Sequence, residues 1–328
     1  EDLTTGEVNT ALGHFAMAQA VGASYCTALG YYAMGAGNVA ANGTTAVGAS
    51  ACAEKIGGGT STAVGFEAMR ADTYGEHNTA VGSYALEHNT IGNGNTAIGA
   101  YALQTLVADN NEGFNTAVGF EALKVTQYST NDTAEHLTAV GGMSGVANTS
   151  GAKNTFIGYN AASTNTTGSN NTVLGSDANV SASGATNQTV IGQNTTGVAD
   201  NAVTLGNANV TKVYMSQDGD GEMYANGTIN TSDKRLKENI NDSNLGLSFI
   251  DALRPVSYKF INDKKPEKLK YGIIAQEVQE VLKESGNEDF AGITDKGDFL
   301  GADYVQFIAP LIKAVQELSA KVTELENK

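Results

Sequence analysis

The chain is poor in several residue types, and each shortage excludes a class of protein. Its 328 residues include no tryptophan, two cysteines and three prolines, and only 7% are aromatic. Two cysteines are too few for a disulfide framework or a four-thiolate zinc site. No apolar run reaches the roughly 18–20 residues of a membrane-spanning helix, and no signal-peptide core is present, so we predict no membrane insertion. We interpret the chain, which begins at Glu1, as a trimmed or processed segment.

Basic residues are scarce as well. The chain has 19 basic and 35 acidic residues, a formal net charge of −16. Because nucleic-acid backbones attract positive surfaces, this balance argues against nucleic acid as a partner. The four histidines are scattered, and the Asp218-Gly-Asp-Gly221 turn lacks the twelve-residue pattern of an EF-hand. We therefore predict no metal and no cofactor.

Composition changes abruptly near residue 230. The first 231 residues carry 5 basic and 18 acidic side chains, and the last 97 carry 14 and 17. All three prolines lie after residue 231, whereas 33 of the 39 glycines lie before it. We predict a domain boundary here, with a repeat region at 1–206, a β-rich neck at 207–231 and a separate domain at 232–328.

The first region repeats a Thr-Ala-aliphatic-Gly tetrad, usually preceded by Asn, as in Asn78-Thr-Ala-Val-Gly82. The predominant period is 17 residues. The tetrads end at Gly13, Gly30, Gly48, Gly65, Gly82, Gly99, Gly119, Gly141, Gly158, Gly175 and Gly192, with a degenerate copy at Gly206.

A unit this short suits one coil of a parallel β-solenoid, built from a short strand, a glycine turn, a second short strand and a return. Ala and the aliphatic residue point to opposite faces of the strand. We expect Ala to fill the narrow interior, Gly to form the corner, and Asn and Thr to stack in ladders. The aliphatic face then needs a cover, and another copy of the chain is the simplest one.

Two longer spacings mark insertions at residues 104–113 and 125–137. Insertions in solenoids map to outer loops, which often form the binding face. The two insertions in this chain are either binding loops or outer loops that the fold tolerates without a binding role. The repeats over residues 9–206 resemble the heads of trimeric autotransporter adhesins, which implies a left-handed parallel β-roll that forms a trimer.

The last 97 residues predict a small α+β domain. A helix is expected at about 243–253 with Ser243 or Asn244 as its cap, followed by a strand from Val256 to Phe260. A second strand ends at Ile274, and a second helix places Ile274, Val278, Val281 and Leu282 on one side with Gly286 past its end.

A heptad helix is predicted at 308–328. Its a positions are Ile308, Val315 and Val322, and its d positions are Leu311, Leu318 and Leu325. Lys321 and Glu326 can pair between parallel chains. This pattern predicts oligomerisation without fixing the number of chains.

The same segment resembles the C-terminal intramolecular chaperone and auto-processing domain of bacteriophage tail spikes and tail fibres, as in endosialidases. The matching stretches include 232–240 (SDKRLKENI), 253–258 (LRPVSY), 272–278 (GIIAQEV) and 309–318 (APLIKAVQEL). The resemblance implies trimer formation, templating of the upstream fibre, and self-cleavage between Thr231 and Ser232. It assigns Ser232 as the nucleophile and Lys237 as the base.

This chemistry is compatible with the residues present. No histidine follows His136, so a Ser-His triad cannot form within the last domain. A lysine whose pKa is lowered by burial can act as the base for a serine hydroxyl. Ser232 Oγ could then attack the Thr231 carbonyl carbon in a single-turnover N-to-O acyl shift. The alternative is an ordinary helix-capping Ser232 with Lys237 on the surface.

The sequence therefore predicts a phage tail-fibre or tail-spike segment, assembled in the host cytoplasm and carried on the extracellular virion. Its expected partners are two further copies of itself, other tail proteins and a host-surface receptor or glycan. Two alternatives are a bacterial trimeric surface adhesin using the same assembly domain and a glycan-degrading tail spike.

Overall fold

A computed structural model describes residues 5–35, 40–106, 113–126, 134–213, 234–259, 261, 269–295, 297 and 299–328. The chain divides into two compact units, Glu1–Met223 and Tyr224–Lys328. The proposed boundary at 231/232 and most of the 207–231 neck lie outside the described residues, so the predicted division at these positions stays a prediction.

The first unit is a parallel β-solenoid, as the repeat predicted. Each coil contributes one three-residue strand, and each strand pairs in parallel with the strand of the next coil in the order β1 to β12. The strands are β1 Thr10–Leu12, β2 Thr27–Leu29, β3 Thr45–Val47, β4 Thr62–Val64, β5 Thr79–Val81, β6 Thr96–Ile98, β7 Thr116–Val118, β8 Thr138–Val140, β9 Thr155–Ile157, β10 Thr172–Leu174, β11 Thr189–Ile191 and β12 Val203–Leu205.

Identical tetrad positions stack upon each other in this sheet. Thr79 pairs with Thr96 and Ala80 with Ala97, and the same register runs through the other coils. The middle residue of each strand from β2 to β11 is buried, and it is alanine up to β8. Small side chains suit the narrow interior, and Phe156, Val173 and Val190 replace alanine in later coils.

The second strand predicted for each coil is wrong for most of the described coils. Outside the named strands, only three isolated β-bridges join described residues. The chain instead turns through left-handed residues, as at Tyr84 with φ 60° and Leu86 with φ 54°. Tyr84 N–H donates to the preceding coil at Phe66, and Leu86 N–H donates to the following coil at Ala102, both at 2.9 Å. These hydrogen bonds offset a left-handed cost of roughly 1–2 kcal/mol per residue.

The tetrad glycines form the predicted corner. At Gly82 the backbone has φ +142°, and an added Cβ would lie 2.5 Å from the carbonyl oxygen of Gly99. No side chain fits so close to the next coil, which explains why glycine recurs at this place in the repeat.

The predicted asparagine ladder is present inside the coil corners. Asn78 Nδ2 donates to the carbonyl oxygen of Gly92 at 2.7 Å, and Asn171 Nδ2 donates to that of Ala185 at the same distance. The Oδ1 atom of Asn154 accepts the backbone N–H of Asn171 at 2.8 Å. Each asparagine thus satisfies buried backbone groups of the following coil.

The second unit is a small α+β domain. Its elements are a 3₁₀ turn at Lys234–Leu236, helix α1 Leu247–Ala252, strands β13 Val256–Tyr258 and β14 Lys270–Gly272, helix α2 Ala275–Glu284, strands β15 Ile293–Asp295 and β16 Leu300–Ala302, a 3₁₀ turn at Tyr304–Phe307 and helix α3 Ile308–Glu326. β13 pairs antiparallel with β14, and β15 with β16. Leu245, Phe249, Val278, Leu282 and Phe307 form the core.

The predicted caps of α1 are wrong. Gly246 occupies the N-cap position without a side-chain cap, and Ser243 instead bonds to the backbone N–H of Leu245. The first N–H of the helix, at Leu247, donates to Glu317 of α3 at 2.8 Å. A carboxylate from another helix therefore replaces the local cap, which sequence spacing could not reveal. Phe260 lies outside the described residues.

Within the described residues no helix has the length and apolar character required to cross a membrane.

Candidate functional site

The predicted cleavage site is only partly described. Thr231 and Ser232 lie outside the described residues. Lys237 is exposed, and its backbone N–H donates to the carbonyl oxygen of Lys234 at 3.2 Å. The Ser232–Lys237 dyad therefore stays a prediction.

The heptad positions form a long exposed apolar face on α3. All six a and d residues are between 45% and 70% exposed: Ile308, Leu311, Val315, Leu318, Val322 and Leu325. The buried residues of this helix are Pro310 and Ala314, on the side that packs within the domain. The side of α3 that carries Pro310 and Ala314 thus packs within the domain, and none of the described residues covers the heptad side.

A second exposed apolar surface runs along the solenoid. The aliphatic stripe consists of the third residue of each strand, and nine of its members are 38–67% exposed. Those nine are Leu12, Leu29, Val81, Ile98, Val140, Ile157, Leu174, Ile191 and Leu205. Because they stack at the roughly 4.8 Å strand spacing, they make one continuous patch, and contiguous apolar surface of this kind marks an interaction site.

Next to the tetrad glycines lies an aromatic ladder that sequence analysis did not single out. Phe66 packs edge-on against Tyr84 at 5.2 Å, Tyr84 stacks on Tyr101 at 5.2 Å, and Tyr101 meets Phe120 edge-on at 6.0 Å. Lys124 Nζ lies 5.1 Å from the centre of the Tyr101 ring. The signal was available, since these aromatics occupy the first or second position after successive tetrad glycines.

Charged residues flank this ladder. Arg70 bonds to Glu54 at 3.0 Å, to Glu67 at 3.2 Å and to Glu87 at 3.2 Å, so one guanidinium bridges three carboxylates. Gln104 donates to the same Glu87 at 2.9 Å. Because these charged and amide groups lie beside aromatic rings, this side of the solenoid can bind polar ligands.

An ion pair is buried inside the solenoid, and sequence analysis missed it as well. Lys55 Nζ lies 2.9 Å from Asp72 Oδ2, and both side chains are fully buried. Burial raises the pKa of Asp72 to about 6, and burial also raises the pKa of the nearby Cys52 thiol to about 12. The signal was a lysine and an aspartate 17 residues apart, each the seventh residue after a tetrad glycine.

The second unit holds a groove of about 280 Å³ between the end of α1 and helix α2. Leu253, Ile273 and Val281 give it apolar walls, and its acidic residues are Glu277, Glu280 and Glu284. Arg254 pairs with Glu277 at one end. The described lining of the groove has no serine, lysine or histidine.

Among the described residues, no group of three histidine, cysteine, aspartate or glutamate side chains is arranged to hold a metal ion.

Comparison with known proteins agrees with the resemblance stated for the C-terminal segment. Residues 232–287 match the family described as the chaperone of endosialidase. The chain is also similar to the long tail fibre protein Gp37 of Enterobacteria phage T2, with 35% identity over 130 residues, covering 37% of this chain and 9% of that protein. Gp37 of Enterobacteria phage K3 shows the same identity over 130 residues, and the match covers 37% of this chain and 10% of that protein. No solved structure gives a significant match.

The chain thus spans about a tenth of the length of the curated relatives that it matches. Its likeness to phage tail fibres with a chaperone domain, predicted from sequence motifs, is confirmed by these matches together with the β-solenoid fold.

Proposed function

We propose that this chain is a structural segment of a phage tail fibre, in which three copies assemble through the aliphatic stripe and the heptad face of α3. The observation that carries the proposal is this pair of exposed apolar surfaces, one on each unit. Each would cost stability and solubility if left in water. Parallel association of identical chains covers both, since the copies carry identical surfaces in identical order.

The C-terminal domain acts as the assembly chaperone. Parallel β-structure whose partners lie on other chains forms slowly and is prone to misregister. A domain that trimerises by itself raises the local concentration of the upstream segments and fixes their register. The heptad positions of α3 suit this role, because they form a coiled-coil seam.

Release of that domain occurs by a single cut between Thr231 and Ser232. Lys237, in its neutral form, takes the hydroxyl proton of Ser232, whose Oγ attacks the Thr231 carbonyl carbon. The C–N bond then breaks, the proton passes to the released Ser232 amine, and an ester replaces the peptide bond. Water then hydrolyses the ester. Removing the domain leaves the fibre kinetically trapped, since the chains can no longer use it to refold.

The mature fibre is a virion component that attaches the phage to a host surface. The aromatic ladder and its charged flank offer planar apolar and hydrogen-bonding groups toward solvent, which suits a glycan or a protein receptor.

Mass analysis of the expressed chain tests the proposal. Wild-type protein should give two fragments that meet at the 231/232 bond, and Ser232→Ala should give only the uncut chain on a denaturing gel. Lys237→Ala should also stay uncut, while Lys234→Ala, a neighbouring lysine outside the dyad, should cut normally. An uncut wild-type chain would show that the domain does not cleave itself, and only its assembly role would remain proposed.

Native mass separates assembly from cleavage. The Ser232→Ala chain should still be a trimer, because cleavage follows assembly. A soluble trimer from residues 1–231 alone would contradict the chaperone role, and a monomeric Ser232→Ala chain would contradict the trimer.

A further inference from the structure

The buried ion pair between Lys55 and Asp72 is unusual for its position. In the coils from Gly13 to Gly158 the residue seven places after the tetrad glycine is buried wherever it is described, and other coils have Asn89, Leu106 or Asn148 there. Removing two charges from water is costly even when they pair with each other, and an apolar or amide residue avoids that cost. The pair therefore needs a reason beyond packing.

The two carboxylate oxygens of Asp72 have different partners. Oδ2 of Asp72 faces Lys55 Nζ at 2.9 Å, whereas Oδ1 accepts the backbone N–H of Gly75 at 2.8 Å. Lys55 Nζ also donates to the carbonyl oxygen of Gly75. One oxygen is thus held by a backbone donor, and the other lies against the amine.

We propose that Lys55 and Asp72 are the site of an intramolecular isopeptide bond, which covalently joins two neighbouring coils of the solenoid. The arrangement brings together an amine nucleophile, a carboxyl carbon and a donor for the developing oxyanion, in a place closed to water. Such a bond is an amide between Lys55 Nζ and Asp72 Cγ.

The reaction balances without an oxidant or another reactant. In the first step the ammonium passes one proton to Oδ2, which gives an amine nucleophile and a protonated carboxyl group. The Nζ lone pair then attacks Cγ, and Gly75 N–H stabilises the negative charge on Oδ1. A second proton moves from nitrogen to Oδ2, the Cγ–Oδ2 bond breaks and one water leaves.

Two effects favour this step. The fold fixes nucleophile and electrophile next to each other, and well-oriented intramolecular groups reach effective concentrations of roughly 10⁵ M or more. The product is a neutral amide in place of two buried charges, so the desolvation cost disappears. The raised pKa of Asp72 agrees with this direction, since the protonated acid is the reactive form.

Tryptic digestion of the denatured wild-type chain provides the test. Trypsin cannot cut after a lysine whose amine is acylated, so segments 1–70 and 71–124 should remain joined and weigh one water less than their sum. Fragmentation of this branched peptide should place the link at Lys55 and Asp72. Lys55→Arg keeps a positive charge without an amine, and its digest should give 1–55, 56–70 and 71–124 separately.

The wild-type digest alone tests for the bond between Lys55 and Asp72, even if the Lys55→Arg variant folds poorly. Free 56–70 together with 71–124 of unchanged mass, after prolonged storage of the folded protein, would overturn the proposal. Because the uncut Ser232→Ala chain contains the same pair, it should carry the same link, which keeps this result independent of autoproteolysis.

Discussion

The backbone N–H of Asn95 donates to Oδ1 of Asn78, one coil earlier, at 2.8 Å. Both asparagines are buried, and the Nδ2 atom of Asn78 reaches the carbonyl oxygen of Gly92. One side chain therefore satisfies a donor and an acceptor of a neighbouring coil that water cannot reach. The solenoid interior depends on such contacts, because its corners lack a regular second strand.

Asn78→Leu should leave the Asn95 N–H unpaired, while the Gly92 carbonyl oxygen keeps the Nδ2 donor of Asn89 at 3.0 Å. An unpaired buried backbone group costs roughly 1–3 kcal/mol, so the variant should lose about that much. The expected result is a lower thermal midpoint and a faster unfolding rate at fixed temperature.

Asn209→Leu is the control for this change, because Asn209 is exposed at the end of the solenoid. Its midpoint should stay near that of the wild type. Equal midpoints for Asn78→Leu and the wild type would mean that the ladder adds no stability.

Gly82→Ala should prevent the coil from closing normally. The added Cβ would lie 2.5 Å from the Gly99 carbonyl oxygen at a φ of +142°, so the backbone must move. We expect a loss of at least about 3 kcal/mol, seen as insoluble protein or a strongly lowered midpoint. The matched control is Gly22→Ala, whose Cβ would lie 3.6 Å from its nearest neighbour, Thr5 Oγ1. If both variants behave alike, close coil approach does not explain the glycine.

Sequence analysis predicted the features of the solenoid that depend on local chemistry repeated many times. The tetrad gave the strand, the buried alanine, the exposed aliphatic residue and the glycine corner, because each follows from side-chain alternation or from a missing Cβ. It did not predict left-handed backbone at bulky residues such as Leu86. That conformation is locally unfavourable and arises from hydrogen bonds to adjacent coils.

Contacts made at a distance were missed for the same reason. Glu317 caps α1 across 70 residues of sequence, and the Lys55–Asp72 pair becomes visible only once the coils are stacked. The dyad at Ser232 and Lys237 came from resemblance alone and remains untested by the described residues.

The final coil contains a carboxylate whose ionisation contributes to folding. Asp200 Oδ1 accepts the backbone N–H of Thr186 at 2.8 Å and the amide of Gln188 at 3.1 Å. The Thr186 bond, followed by the Gln188 bond, lowers the pKa of Asp200 below its usual 3.8. A lowered folded-state pKa means stabilisation that is complete above pH 3.8 and lost as the pH falls through the folded value.

Asp200→Asn removes this titration and keeps an acceptor oxygen. The wild type should therefore be more stable than Asp200→Asn at neutral pH, and the difference in midpoint should shrink below pH 3.8. A difference that stays constant across this range would show that the ionised form is not what the two donors stabilise.

Ile98→Asp tests the aliphatic stripe, where Ile98 is 40% exposed in the single chain. In a trimer each copy would bring a carboxylate into the same apolar interface, and an unpaired buried charge is strongly destabilising. Sedimentation of the Ser232→Ala background should then show smaller or aggregated species in place of the trimer. Ile98→Val is the matched control, because valine occupies the stripe in the coils on either side, at Val81 and Val118, and it should sediment like the parent. If Ile98→Asp kept the native mass of the trimer, the stripe would face solvent in the assembly, and the chains would have to associate through the heptad face of α3 alone.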